Sequence, residues 1–199
     1  ASQILLCGTE EFNAQNATYA AQQNSEIVPA AIFLPEAKED VAEFIRLITP
    51  TAKDGSFAFV IRGGGACPLP YGTNIEKPGI TLDLAHLNQI TVLEESVSIG
   101  AGASWGAVYE ALDGTGRGVS GSRSSKGGIG GLALQGGLSF FSSREGCIAD
   151  NVLSYEIVLA FGEIVNASAT EKSDLWKALR GGSNNFGIVT RFEFRTFLQ

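Results

Sequence analysis

Two glycine-dense stretches limit what this chain can fold into. The first, Gly63-Gly64-Gly65, follows Ala58-Phe59-Val60-Ile61 and Arg62, and that continuous apolar run reads as a buried strand. Without a Cβ, glycine tolerates positive φ, so successive backbone N–H groups can turn toward one point. Converging N–H groups form an anion nest that needs no basic side chain. A glycine in a regular element costs roughly 0.5–1 kcal/mol relative to alanine, so three in a row imply either a use or a flexible surface loop. The second stretch, Gly127 to Gly137, reads Gly-Gly-Ile-Gly-Gly-Leu-Ala-Leu-Gln-Gly-Gly. Its glycines alternate with apolar residues, unlike a Gly/Ser linker. Such a pattern implies backbone packed against something flat or bulky, or a helix packed closely on a sheet.

Other nucleotide-binding signatures fail on context. Gly116-Arg117-Gly118-Val119-Ser120-Gly121 matches G-x-G-x-x-G. A dinucleotide fingerprint needs a strand before it and a helix directly after. Here a helical pattern precedes and more glycine follows. No Walker A sequence occurs. His86 is the only histidine, and Cys7, Cys67 and Cys147 are the only cysteines, without a CxxC or Cys/His cluster. This argues against a structural zinc site, and His86 reads as a surface or turn residue. Cys7 and Cys67 are compatible with a disulfide in an oxidising compartment and equally with free thiols.

Lys and Arg total 14 against 21 Asp and Glu, a net charge of −7 with no basic run, which argues against nucleic acid as a partner. No run of about 18 apolar residues is present, so no membrane helix is expected. Two sequons, Asn16-Ala17-Thr18 and Asn166-Ala167-Ser168, fit a secretory route and a glycoprotein.

Hydrophobic residues make up 44% of the 199, enough for a sizeable core. A helix is expected near residues 10–24 and a strand at 30–34. Pro35 suits a first helical position. Ala37, Val41, Phe44, Ile45 and Ile48 then share one helical face. Further strands are expected at Ile80–Leu84 and Val97–Gly100. Ser104 is the expected N-cap of a helix carrying Trp105, Val108, Tyr109 and Leu112. Asn151–Ala160 and Glu163–Ala167 read as a hairpin around Phe161-Gly162. Ser173 is the expected cap of a short helix ended by Gly181-Gly182. Gly187–Phe197 alternates as a closing strand. Strands and helices mix without strict alternation, which predicts an α+β fold.

Five motifs occur in a familiar order. They are Val60-Ile61-Arg62-Gly63-Gly64-Gly65, Ile99–Tyr109 (Ile-Gly-Ala-Gly-Ala-Ser-Trp-Gly-Ala-Val-Tyr), and Gly128-Ile129-Gly130-Gly131 with Gly136–Phe141. Ala149-Asp150-Asn151-Val152 and Gly181–Thr190 follow. Together they resemble the FAD-binding, PCMH-type domain of the vanillyl-alcohol oxidase superfamily, with the berberine-bridge-enzyme-like FAD-linked oxidases of fungal secondary metabolism as the nearest branch. The resemblance covers roughly residues 28–199 and leaves 1–27 as an N-terminal extension. It implies two subdomains with FAD between them and a small-molecule substrate. The diphosphate would lie on Gly63, Gly64, Gly65 and the backbone of Ala66 and Cys67. Gly121, Ser122, Gly127, Gly128 and Gly131 would line the other side, and Ile188 and Val189 would offer backbone contacts.

Three departures accompany the resemblance. Ala66 stands where many relatives carry a histidine bonded to the flavin, and Ser124 where bicovalent relatives carry cysteine, so FAD is expected to be non-covalent. The usual C-terminal substrate domain is missing, so a second chain or segment is expected to supply it. Tyr71, Asp83, His86 and Tyr155 are available as acids or bases but read as packing or surface residues, leaving the catalytic residues unassigned. These departures also admit a flavin-free relative catalysing a cyclisation, dehydration or isomerisation, or a partner subunit.

Overall fold

The computed structural model describes residues 3–53 and 55–199. Its first lobe contains β1 (Ile4–Leu6), α1 (Glu10–Asn16), α2 (Gln22–Ser25), β2 (Ala31–Phe33), α3 (Lys38–Lys53), β3 (Phe59–Arg62) and β4 (Ile80–Asp83). The sheet order is β1-β2-β4-β3, with β4 parallel to both β2 and β3 and β1 antiparallel at the edge. The second lobe contains β5 (Ile90–Val92), β6 (Ser96–Gly100), α4 (Trp105–Leu112), β7 (Arg117–Val119), α5 (Ile129–Leu134), α6 (Ser142–Glu145), β8 (Val152–Val158), β9 (Ile164–Ser168), α7 (Ser173–Leu179) and β10 (Ile188–Leu198). Its antiparallel sheet runs β5-β6-β10-β8-β9, and β7 pairs the far end of β10. This is the expected α+β architecture.

The α3 face carrying Val41, Phe44, Ile45 and Ile48 is buried in one core with Leu82, Val97, Ile99, Ile157 and Phe192. One hydrophobic cluster therefore joins the lobes. The seam also carries charge. Lys38 Nζ lies 2.8 Å from Glu156 of β8, and Arg191 of β10 lies 3.3 Å from the same carboxylate. Thr190 Oγ1 donates to Glu156 Oε1 at 2.9 Å. Burial alone would raise Glu156, but the hydrogen bonds from Lys38 and Thr190 and the Arg191 charge outweigh it and hold the carboxyl below its ordinary value.

Local boundaries follow capping chemistry. Ser104 caps α4 by accepting from Ala107 N–H, as expected. Pro35 is not the first residue of α3: Asp40 Oδ2 accepts from Glu36 and Ala37 N–H, closing a turn before the helix starts at Lys38. Ser173 is likewise no cap; the chain enters α7 through left-handed Lys172, so the serine lies inside the first turn. The single N-terminal helix gives way to α1 and the short α2.

Residues 3–27, read from sequence as an extension, fold onto the first lobe. β1 adds an edge strand, and Phe12 is buried with Ile32 and Leu34. Asn16 is 5% exposed. Its amide donates to Ser25 O and Ile27 O, and its Oδ1 accepts from Asn74. The first sequon is thus occupied by internal bonds, whereas Asn166 on β9 is exposed.

Candidate cofactor site

The two glycine stretches meet. A Cβ built on Gly64 would lie 2.5 Å from Gly128 Cα, and one on Gly128 would lie 2.5 Å from Gly64 N. Real Cβ atoms do not approach backbone so closely, so both positions require glycine for the lobes to touch here. Among the described residues, the backbone N–H groups of Gly64, Gly65, Ala66 and Cys67 have no protein acceptor. Gly65 has φ +61°, which turns the chain at the end of this run.

Beside the meeting point lies a cleft of about 160 Å³, reached by Gly63, Thr73, Ala101, Gly131, Gln135 and Ser183, with Ile188 and Val189 on its floor. Nothing approaches within 4 Å of a Cβ placed on Gly130 or Gly131, so these glycines leave open space. Thr73 Oγ1 is buried without a protein partner. Among the described residues, no titratable side chain lines the cleft. A second hollow of about 520 Å³ shares Ile61, Asn184, Gly187 and Ile188 with it and adds Ile45, Ile48 and Phe59. Unpaired N–H groups next to a neutral cleft that opens into an apolar groove suit an extended ligand with central negative charge and apolar ends.

The sequence profile of the FAD binding domain matches residues 29–168. The chain belongs to this FAD-binding family. It is 41% identical over 186 residues to the FAD-dependent monooxygenase CTB5 of Cercospora beticola, a match covering 92% of this chain and 35% of that protein. Among solved structures, 6-hydroxy-D-nicotine oxidase from Arthrobacter nicotinovorans superposes with a TM-score of 0.87 at 29% identity, covering 98% of this chain and 42% of that one. A berberine bridge enzyme variant gives 0.85 at 27% identity, over 99% and 41%. The chain thus spans about a third of the length of the curated relatives it matches. The berberine-bridge-enzyme-like resemblance holds, and the chain matches the FAD-binding domain of fungal proteins named FAD-dependent monooxygenases.

The residues singled out in the sequence of this FAD-binding domain do not all share one place. Gly63, Gly131, Ile188 and Val189 line the cleft. Gly64 and Gly128 form the contact beside it. Gly65 O accepts from Ala20 N–H and Cys67 O from Asn24 Nδ2, so this end of the first turn lies on the N-terminal segment. Ala66 is exposed. Gly121 and Ser122 line a different hollow of about 640 Å³ with Tyr109, Arg117 and Phe140, and Gly127 lies near Ser122. Gly121 is required there by packing, because a Cβ would strike the Trp105 ring.

Tyr71 and His86 are exposed, and Tyr71 OH donates to Glu76. Tyr155 is buried, and desolvation pushes its phenol up. Burial also raises Tyr19 and Tyr109 to about 12, so these phenols stay protonated at neutral pH. Cys7, Cys67 and Cys147 are free thiols. Thr73 was not legible as a cleft residue, because an isolated threonine carries no pattern that marks it; Ala101, Gln135 and Ser183 lie within the quoted motifs and glycine stretch, but nothing local separates them from their neighbours there.

Proposed function

We propose that this chain holds FAD without a covalent bond, and that the longer protein to which such a domain belongs uses it to oxidise a small molecule. The observation that carries the reading is the Gly64–Gly128 contact with the unpaired N–H groups of Gly64 to Cys67 next to it. These groups would take the diphosphate. Gly131, Ile188 and Val189 would line its path, and the apolar groove beyond would suit a ring system. FAD, when bound, supplies the redox chemistry. The domain's own residues bind, orient and exclude water. The absence of titratable groups from the cleft supports a holding role rather than proton transfer. Ala66 offers no nucleophile for a flavin bond, which supports non-covalent binding.

The test is an absorbance spectrum of the chain after incubation with FAD and desalting, followed by acid precipitation. Flavin bands near 450 nm, roughly, that remain with the protein on desalting and leave it entirely on acid treatment are expected. Flavin retained in the acid pellet would overturn the non-covalent assignment. A protein that retains no flavin on desalting would overturn the binding assignment itself.

A further inference from the structure

A charged pair lies beneath the first glycine turn. Arg62 ends β3 and is 4% exposed; Asp83 ends β4 in register with it and is fully buried. Arg62 Nη1 lies 3.3 Å from Asp83 Oδ2. Burying two charges costs several kcal/mol per ion, roughly, and an apolar pair of similar volume is often as stable or more so. Stability alone therefore gives no reason for an ion pair here.

Apart from Ala85 N–H, the contacts of the pair lead to the turn or to residues 15–20. Arg62 Nη1 donates to Gln15 O at 3.1 Å, and Nη2 donates to Thr18 Oγ1. The guanidinium lies over the Tyr19 ring, 3.8 Å from its centroid. Gln15 Nε2 donates to Asp83 Oδ2 at 2.8 Å, and Ala85 N–H donates to Oδ1. Tyr19 OH donates to the carbonyl of Thr73, a cleft residue. On the other side, a Cβ on Gly65 would lie 2.9 Å from both Arg62 Nε and Nη2. The turn therefore abuts the Nε–Nη2 edge of the guanidinium, and Ala20 N–H pins Gly65 O from the side.

We propose that Arg62, held by Asp83 and residues 15–20, is a positioning residue that sets the conformation of the Gly63–Gly65 turn for a diphosphate. The N-terminal segment is then part of the cofactor site, although it contributes no atom to the cleft. A planar group stacked on the Tyr19 ring and meeting Gly65 with its edge keeps the turn from settling into other glycine conformations. Lysine has the charge without the plane and restores only part of the function. The inference rests on the FAD reading above.

The experiment measures the affinity of the 199-residue chain for FAD, ADP and adenosine by calorimetric titration, together with Tm. The variants are Arg62→Met, Arg62→Lys and the milder Thr18→Val. Arg62→Met is expected to weaken FAD and ADP by at least about tenfold, the loss of one charge-assisted hydrogen bond, and to leave adenosine unchanged. Arg62→Lys is expected to fall between Met and the parent. Thr18→Val, which keeps its shape, is expected to move FAD and ADP in the same direction by a smaller factor. An equal loss for all three ligands, or a lowered Tm with unchanged affinities, would make the pair purely structural and overturn the proposal. A parent chain that binds FAD while every variant binds it equally sinks this inference alone. A parent chain that binds neither FAD nor ADP sinks the FAD reading as well.

Discussion

The two glycine turns meet at one point but are held by different means. The first rests on side chains: the Arg62–Asp83 pair, the Tyr19 ring, and Asn24 bonding Cys67 O. The second is stitched almost wholly by backbone. Trp105 N–H donates to Gly127 O, Ile129 N–H to Ala103 O, Gly181 and Ser183 N–H to Leu134 O, and Ile148 N–H to Gly137 O. A side-chain support can be changed one atom at a time and is vulnerable to single substitutions. A backbone support is insensitive to side-chain identity but intolerant of any added Cβ where chains touch. The first turn should therefore be fragile beneath its surface, and the second fragile only at its contacts.

The largest effect separating them is expected from Asp83→Ala. It leaves the Arg62 guanidinium buried without its counter-charge, and a loss of about 3–5 kcal/mol in urea denaturation is expected. A loss under about 1 kcal/mol would mean that water or backbone replaces the carboxylate, and the contrast would fail on the first turn's side. Next, Gly64→Ala and Gly128→Ala press the same contact from opposite sides. Each should cost about 1–3 kcal/mol by overpacking. The double variant should cost less than the sum, because the chains have already separated. Strict additivity would show that the two glycines do not press on one another.

The seam that keeps the turns opposed should respond to acid. Glu156 is held below its ordinary value in the folded chain, so its contribution is complete above the unfolded carboxyl value of about 4.3 and is lost as pH falls through the lower folded value. Asp83 runs the other way. Burial raises it despite Arg62, so protonation there does not by itself favour unfolding. Glu156→Gln should cost about 1–2 kcal/mol at pH 7, a charge-assisted bond discounted for the half-exposed Lys38 and Arg191. It should also flatten the acid limb of a Tm-against-pH series. An unchanged acid limb would assign the lobe seam to apolar packing alone.

The smallest effect is the sharpest. Gly130 lies in α5 with empty space where its side chain would be. Gly130→Ala should stabilise the chain by about 0.5 kcal/mol through helix propensity. If that space belongs to the cofactor, FAD affinity falls while Tm rises. Affinity and stability rising together would move the cofactor away from the second turn.

Much of this was readable from residue order. The apolar face of α3, the Ser104 cap, the β8–β9 hairpin and alternating β10 follow from local periodicity and capping, which depend on neighbours within a turn or a strand. The glycine stretches declared themselves because glycine is costly wherever it is not needed. Pro35 and Ser173 misled because the bonds that place those helix starts come from Asp40 and from left-handed Lys172, choices made by the chain around them.

What the sequence determined alone was the kind of chain this is: five motifs in register, two glycine turns, and an alanine where a flavin-bonding histidine is usual. Only the tertiary structure decided that Gly64 and Gly128 touch, that Gly121 serves the Trp105 ring, and that Arg62 lies beneath Gly65 on residues 15–20. The physical reason is range. Propensity and periodicity act between residues a few positions apart, whereas a backbone contact between residues 64 and 128, or an ion pair closed by Gln15, exists only after the sheets have brought distant segments together.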